Sequence, residues 1–199
     1  LAWAAREGRE LLSVDMAQVR ARVTALGVGF SRALFMPGVA NVRNPRLLQA
    51  LRTELERLPN VRLIEHCAVQ GFLRSEGRVC GVETSAGLIQ ADRVVLAAGA
   101  WSGELLATLG LALPVKPVKG QMILYKCAED FLPSMVLAEG RYVIPRKDGH
   151  VLVGSTLEYA GFDKTPTDEA LASLQASAVA LLPALADAQV VGHWAGLRP

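Results

Sequence analysis

Apolar residues recur at three- and four-residue steps in three segments of the chain, and this period predicts amphipathic helices. The segments are residues 15–26, 44–59 and 165–185. In the second segment Asn44 precedes Pro45, which predicts Asn44 as the N-cap and Pro45 as the first helical residue. Each helix is expected to bury its apolar stripe against a neighbouring element.

The middle of the chain changes from the helical period to the pattern of strands. Short apolar segments separated by Ser/Gly turns predict a three-stranded meander over residues 69–91. A further strand is expected at residues 61–64. Residues 94–98 form a continuous apolar run, Val-Val-Leu-Ala-Ala, which is typical of a strand buried on both faces of a sheet.

The C-terminal part predicts an antiparallel sheet. Segments 121–125, 142–145 and 151–155 are strand-like, and Asp148-Gly149 between the last two is a strong hairpin signal. A final strand is expected at residues 188–195, with the third helix packed beside the sheet.

These elements predict an α+β fold with an α/β portion. Residues 41–112 form the α/β portion, whereas residues 1–40 and 113–199 form the two parts of a second domain with an antiparallel sheet. The chain is therefore expected to enter one domain, cross to the other and return.

Composition narrows the classes of function. Hydrophobic residues make up 51% and charged residues 20% of the 199 residues, a balance typical of a globular protein. The net charge of +2 is small and the basic residues are scattered along the chain, which argues against nucleic acid or an anionic membrane as partner. No apolar run is long enough for a transmembrane helix. The three cysteines form no CxxC pair, so we expect no metal site or disulfide framework and a cytoplasmic location.

The most informative single residue is Arg198, in the sequence Trp194-Ala-Gly-Leu-Arg198-Pro199. A guanidinium is planar and binds a carboxylate through two hydrogen bonds. Arg198 is therefore a candidate anchor for a carboxylate substrate. The alternative from the sequence alone is an arginine that caps the end of a strand or pairs with a nearby acid.

Several motifs together resemble one family. They are Ala91-Asp-Arg-Val-Val-Leu-Ala-Ala-Gly-Ala-Trp-Ser102, Pro117-Val-Lys-Gly-Gln121, Tyr142-Val-Ile-Pro-Arg146, Val153-Gly-Ser-Thr156 and the Gly196-Leu-Arg-Pro199 end. In combination they resemble the glycine oxidases, within the superfamily of FAD-dependent D-amino-acid and sarcosine oxidases. The resemblance covers most of the chain from about residue 41 onward. It implies a substrate domain with an antiparallel sheet and part of a Rossmann-like FAD-binding domain.

The resemblance also implies an activity and a cofactor. In the family a small amino acid is oxidised to an imino acid by hydride transfer to FAD, and dioxygen reoxidises the flavin and gives hydrogen peroxide. No protein side chain is required as a general base, so no catalytic residue and no metal is expected. The implied partners are the amino acid and dioxygen, and the resemblance allows a homo-oligomer and a role in thiamine biosynthesis.

Three residues are implied for the substrate. Arg198 would bind the carboxylate, Tyr142 would donate a hydrogen bond from its hydroxyl and close the pocket, and Leu157 would form part of the pocket wall. From the sequence alone, Tyr142 is equally explained by an aromatic packed on a sheet, and Leu157 by ordinary core packing.

Four residues are implied for the cofactor. Val69 would touch the flavin nucleotide through its backbone, and Ala98, Gly99 and Trp101 would lie where small residues let the backbone approach FAD closely. The alternatives are that Gly99 ends a strand and that Trp101 fills a domain interface.

One expected motif is absent from the 199 residues. A Rossmann FAD domain binds the pyrophosphate through G-x-G-x-x-G between a strand and a helix, and no segment matches this pattern. We therefore expect the chain to be an internal fragment that is inactive in isolation. Two alternatives stay open: a D-amino-acid or sarcosine oxidase or dehydrogenase with another electron acceptor, and a non-catalytic fold that binds no flavin.

Overall fold

A computed structural model describes all residues from 1 to 199. The helices are α1 (Ala2–Arg6), α2 (Met16–Arg22), α3 (Asn44–Glu56), α4 (Ser102–Ala107) and α5 (Asp168–Leu181). The strands are β1 (Leu12–Val14), β2 (Ala33–Phe35), β3 (Val69–Ser75), β4 (Arg78–Thr84), β5 (Gly87–Gln90), β6 (Val118–Lys126), β7 (Val136–Ala138), β8 (Arg141–Pro145), β9 (His150–Gly154) and β10 (Gln189–Arg198). The mixed α+β class expected from the sequence is confirmed.

The chain divides into two compact units. The first unit comprises Leu1–Asn41 and Val118–Leu197, and the second comprises Val42–Pro117 and Arg198–Pro199. The chain thus leaves the first unit and returns to it. The assignment of these parts to a substrate domain and a flavin domain stays a prediction.

The first unit is built on a five-stranded sheet with the order β10-β6-β9-β8-β7. The three central segments expected in one sheet, β6, β8 and β9, are indeed adjacent, and Gly149 closes the β8–β9 hairpin with a φ of +74°. In β6, β8 and β9 alternate residues point to one face, where Ile123, Val143 and Val153 are fully buried. That face packs against α5.

Helix α5 begins because Thr167 caps it: the Thr167 hydroxyl accepts a hydrogen bond from the Ala170 amide at 3.3 Å. The predicted stripe is buried, with Leu174 and Ala178 at 0% exposure. Burial of such side chains stabilises the fold by roughly 1.5–3 kcal/mol for each leucine. The apolar spacing that predicted the helix therefore also identified the core.

Helix α2 begins as predicted but ends earlier than residue 26. The Asp15 carboxylate accepts from the Ala17 amide at 2.7 Å and caps the helix, which stops at Arg22. The Arg20 guanidinium then donates to the carbonyl oxygens of Gly27 at 3.2 Å and Val28 at 3.1 Å. These bonds hold residues 26–30 as a loop, so the apolar spacing past residue 22 belongs to that loop.

The second unit contains α3, α4 and the predicted meander. Strands β3, β4 and β5 pair antiparallel in that order, with Gly81 opposite Leu73 and Gln90. The N-cap of α3 is Arg43, and Asn44 is already helical, which corrects the expected cap by one residue. The Arg52 guanidinium forms two 2.8 Å bonds with the Glu65 carboxylate and so ties the segment after α3 to the helix.

Three expectations for the second unit are wrong. Residues 61–64 and 94–98 are not strands, and Val95 is 89% exposed. A strand needs a hydrogen-bonded neighbour, and in this structure neither segment has one. The leucine face of α3 is exposed instead of buried, with Leu48 at 65% and Leu51 at 51%.

No helix of the structure combines the length and the apolar character that crossing a membrane requires.

Candidate functional site

The sheet of the first unit has a second apolar face, opposite α5. Cross-strand partners share a face, so Met122, Gly154 and Tyr142 form one row across β6, β9 and β8, and Leu124, Leu152 and Ile144 form the next. All of these residues are half-buried except Gly154, which is buried. We call this surface, together with Trp194 of β10, the outer face.

Tyr142 lies on the outer face directly over a glycine. A Cβ on Gly154 would meet Cζ and Oη of Tyr142 at 2.5 Å, so only glycine leaves room for the phenol in this position. The aromatic ring therefore lies flat across β9 with its hydroxyl on the surface of the sheet. This arrangement presents a hydrogen-bond donor beside an apolar floor.

Trp194 covers another glycine of the same face. A Cβ on Gly192 would meet the Trp194 ring at 3.3 Å and Cβ of Leu124 at 3.6 Å. Two aromatic side chains thus extend the outer face from β8 to β10. Small-molecule sites are lined mostly by apolar and aromatic side chains with a few polar groups, and the outer face supplies side chains of these kinds.

The structure places the other two predicted substrate residues at the ends of strands. Leu157 follows β9 by three residues and is 64% exposed. Arg198 is the last residue of β10 and is exposed. β8 and β10 are separated by β9 and β6, which puts their axes about 14 Å apart at the usual strand spacing.

Beneath β6, on the α5 side, lies a buried polar network that the sequence analysis did not identify. Lys119 is 2% and Gln121 0% exposed. The Lys119 ammonium lies 3.8 Å from the Glu158 carboxylate and 3.3 Å from that of Asp163. The sequence signal for it was Lys119-Gly-Gln121 directly before the apolar residues of the same strand.

The charges of this network are balanced by hydrogen bonds. Desolvation raises the pKa of Glu158, but the hydroxyl of Thr156, the amide of Gln121 and the Lys119 ammonium together lower it below its ordinary value. Hydrogen bonds from Thr165 and then from Lys119 lower the pKa of Asp163 from 3.8 to about 2. Both carboxylates are therefore ionised at neutral pH and pair with the buried cation.

Two histidines lie near these elements, and each has a local partner. Nδ1 of His150 is 2.9 Å from the Asp148 carboxylate within the hairpin turn. Nε2 of His193 is 3.0 Å from the Gln121 side-chain oxygen. His193 shares the face of Gln121, whereas His150, two residues before Leu152 on β9 and opposite Lys126, lies on the side of the outer face at its hairpin end.

The predicted flavin residues all lie in the second unit. Val69 begins β3, and Ala98, Gly99 and Trp101 lead through a 3₁₀ helix (Gly99–Trp101) into α4. Gly99 has a φ of +54°, and a Cβ there would meet nothing within 4 Å. The backbone at Gly99 is therefore open, as it is at several other glycines of the chain, and nothing at these residues obstructs FAD; their role toward the cofactor stays a prediction.

An open depression of about 320 Å³ lies elsewhere in the first unit, beside β1 and β2. It is lined by Ser13, Asp15 and Arg32 among others and contains none of the predicted site residues. We assign it no role in the chemistry below.

Comparison with known proteins shows to which family the chain belongs. The family described as FAD dependent oxidoreductase (DAO) matches residues 1–199. A glycine oxidase of Pseudomonas putida is 67% identical over 199 residues, which are 100% of this chain and 54% of the relative. A glycine oxidase of Pseudomonas aeruginosa is 64% identical over 100% of this chain and 55% of its own length.

A solved structure agrees with these sequences. The crystal structure of a glycine oxidase from Bacillus cereus superimposes with a TM-score of 0.90 at 28% identity, over 100% of this chain and 54% of that chain. The chain therefore spans about half the length of the relatives it matches.

Proposed function

Because this chain belongs to the FAD dependent oxidoreductase family, we propose that the whole protein oxidises glycine or another small amino acid to its imino acid. The observation that carries the proposal is the 67% identity to a glycine oxidase over 199 residues, which are 100% of this chain. The outer face supports it, since this face combines an apolar floor with the Tyr142 hydroxyl.

The substrate carboxylate is bound by Arg198 and Tyr142 in this proposal. Arg198 lies four residues after Trp194, an even number, so the two-residue period of a strand gives both the same face of β10. A guanidinium at that position holds the carboxylate through two charge-assisted hydrogen bonds, and the phenol of Tyr142 donates a third. Fixing the carboxylate orients the Cα–H bond of the amino acid, which is a proximity effect.

Leu157 limits the size of the substrate side chain. Its exposed side chain flanks the hairpin that carries Tyr142, and an apolar wall there favours glycine and other small amino acids over bulky ones. No titratable side chain is needed to remove the Cα hydrogen, because the substrate loses it as a hydride while its amino group is neutral.

Val69, Ala98, Gly99 and Trp101 are proposed to border FAD. When bound, FAD accepts the hydride from the amino acid and passes the electrons to dioxygen, which leaves as hydrogen peroxide. The open backbone at Gly99 supports this placement. The pyrophosphate itself requires a glycine-rich loop that residues 1–199 do not supply.

The test is oxidation of amino acids by the intact protein, purified with its flavin. We expect glycine-dependent hydrogen peroxide in amounts equal to the oxygen consumed, with sarcosine and D-alanine as comparison substrates. A flavin reduced by glycine that transfers electrons only to an artificial dye would indicate the dehydrogenase alternative. A protein that holds FAD but is not reduced by any amino acid would refute the proposed function.

A cytoplasmic location and assembly into a homo-oligomer are further proposals. The three cysteines are free, which supports a reducing compartment. Size-exclusion chromatography of the intact protein would measure the oligomeric state.

A further inference from the structure

Gln121 is the most connected side chain of the buried polar network. Its Nε2 lies 3.0 and 3.2 Å from the two oxygens of the Glu158 carboxylate, which can only accept. The amide orientation is therefore fixed, and Oε1 is the acceptor for the Thr167 amide at 2.9 Å and for His193 Nε2 at 3.0 Å. It follows that His193 carries a proton on Nε2.

These bonds join four elements through one side chain. Gln121 belongs to β6, Glu158 to the segment after β9, Thr167 to the N-cap of α5 and His193 to β10. Independently of its side chain, the backbone N–H of Gln121 donates to the Thr156 hydroxyl at 2.8 Å. A buried polar group that loses its partner destabilises the fold, so the network favours one relative alignment of these segments.

The residues held by the network alternate along the chain with residues that point away from it, among them Leu157. Thr156 and Glu158 point toward Gln121, and Leu157 between them points away and is 64% exposed. His193 points toward Gln121, and Trp194 beside it lies on the outer face. The network on one face thus sets the positions of the side chains on the other.

We propose that Gln121 is a positioning residue for the substrate site, acting through His193 on β10 and through Glu158 on Leu157. The inference rests on the proposed function, because it takes Arg198 at the end of β10 as the carboxylate anchor. Arg198 lies five residues after His193, about 17 Å along the strand, and the bond to Gln121 fixes the lateral position of β10 relative to β6.

Three substitutions in the intact protein separate this role from general stability. Gln121→Met removes the amide at similar volume, His193→Leu removes only the link to β10, and His193→Gln restores a donor toward Gln121. We expect Gln121→Met and His193→Leu to raise KM for glycine about tenfold with a much smaller change in kcat. A change of this size corresponds to the loss of one aligned contact with the substrate. His193→Gln should recover most of the increase.

Arg20→Met is the matched control. It removes the guanidinium bonds to the 26–30 loop in the same unit, so it should lower the melting temperature while KM for glycine stays that of the wild type. Equal KM values for the wild type, Gln121→Met and His193→Leu would overturn the proposal. So would a KM increase for Arg20→Met that matches theirs, because the effect would then follow stability alone.

Amide hydrogen exchange gives a readout that does not depend on turnover. Gln121→Met and His193→Leu should increase exchange across residues 193–197 of β10 about tenfold relative to β8, which the network does not contact. Unchanged exchange in β10 would contradict the positioning role even if KM rises. A wild-type protein that oxidises no amino acid would instead refute the proposed function, and the exchange data would still decide whether Gln121 holds β10.

Discussion

Tyr142 and Gly154 are cross-strand partners, and the tyrosine ring occupies the space that any side chain at residue 154 would need. The pair creates the flat part of the outer face. Replacing the glycine tests whether that flatness matters for the substrate.

Gly154→Ala in the intact protein should displace the Tyr142 phenol. The new methyl group would lie 2.5 Å from Cζ and Oη, and overpacking of this kind costs about 1–3 kcal/mol. We expect kcat/KM for glycine to fall about tenfold, measured by oxygen consumption. Gly29→Ala is the control, since a Cβ at Gly29 meets nothing within 4 Å, and it should leave kcat/KM unchanged. Wild-type kinetics for Gly154→Ala would show that Tyr142 does not bind the substrate.

Arg198→Ala should weaken amino-acid oxidation strongly. Removing one partner of a desolvated charge pair costs roughly 2–5 kcal/mol, which corresponds to about one and a half to three and a half decades in kcat/KM. Arg198→Lys should recover only part of the lost kcat/KM, because an ammonium cannot form the two-point contact with the carboxylate. For amines without a carboxylate, kcat/KM should be nearly the same in Arg198→Ala as in the wild type. Equal losses for amines and amino acids would assign Arg198 to the fold or the flavin.

The polypeptide of residues 1–199, expressed alone, should carry no tightly bound FAD and show no oxidase activity. The reason is that no G-x-G-x-x-G loop is present in these residues to bind the pyrophosphate. Visible absorbance of the purified polypeptide measures the flavin content. Copurification of nearly one equivalent of FAD would contradict this expectation and show that the Val69 and Gly99 region binds the cofactor by itself.

Asp163→Asn should change how stability depends on acidity. The folded pKa of Asp163, about 2, lies below its ordinary 3.8, so the carboxylate stabilises the fold above about pH 4 and loses this effect as the pH falls toward 2. The melting temperatures of the wild type and Asp163→Asn should therefore differ at pH 5 and converge between pH 4 and pH 2. A difference independent of pH would mean that the hydrogen bonds from Thr165 and the pairing with Lys119 do not stabilise the ionised carboxylate.

The sequence by itself determined the elements whose signals are local. The Asp148-Gly149 turn, the apolar period of α5 and the strand patterns of β6, β8 and β9 each predicted what the structure contains, because turn chemistry and side-chain period act within a few residues. The sequence also singled out Tyr142 and Leu157, through a resemblance between motifs. Their proposed roles stay predictions.

Only the tertiary structure decided the elements that depend on distant neighbours. The apolar run 94–98 has the composition of a buried strand, yet strand formation requires a hydrogen-bonded partner, and none adjoins it. The network around Gln121 was equally inaccessible to pattern analysis, because its members are up to 72 residues apart. Glutamine, lysine and histidine are ordinary surface residues in a sequence, and it is the packing of β10 and α5 against β6 that buries them and makes their hydrogen bonds necessary.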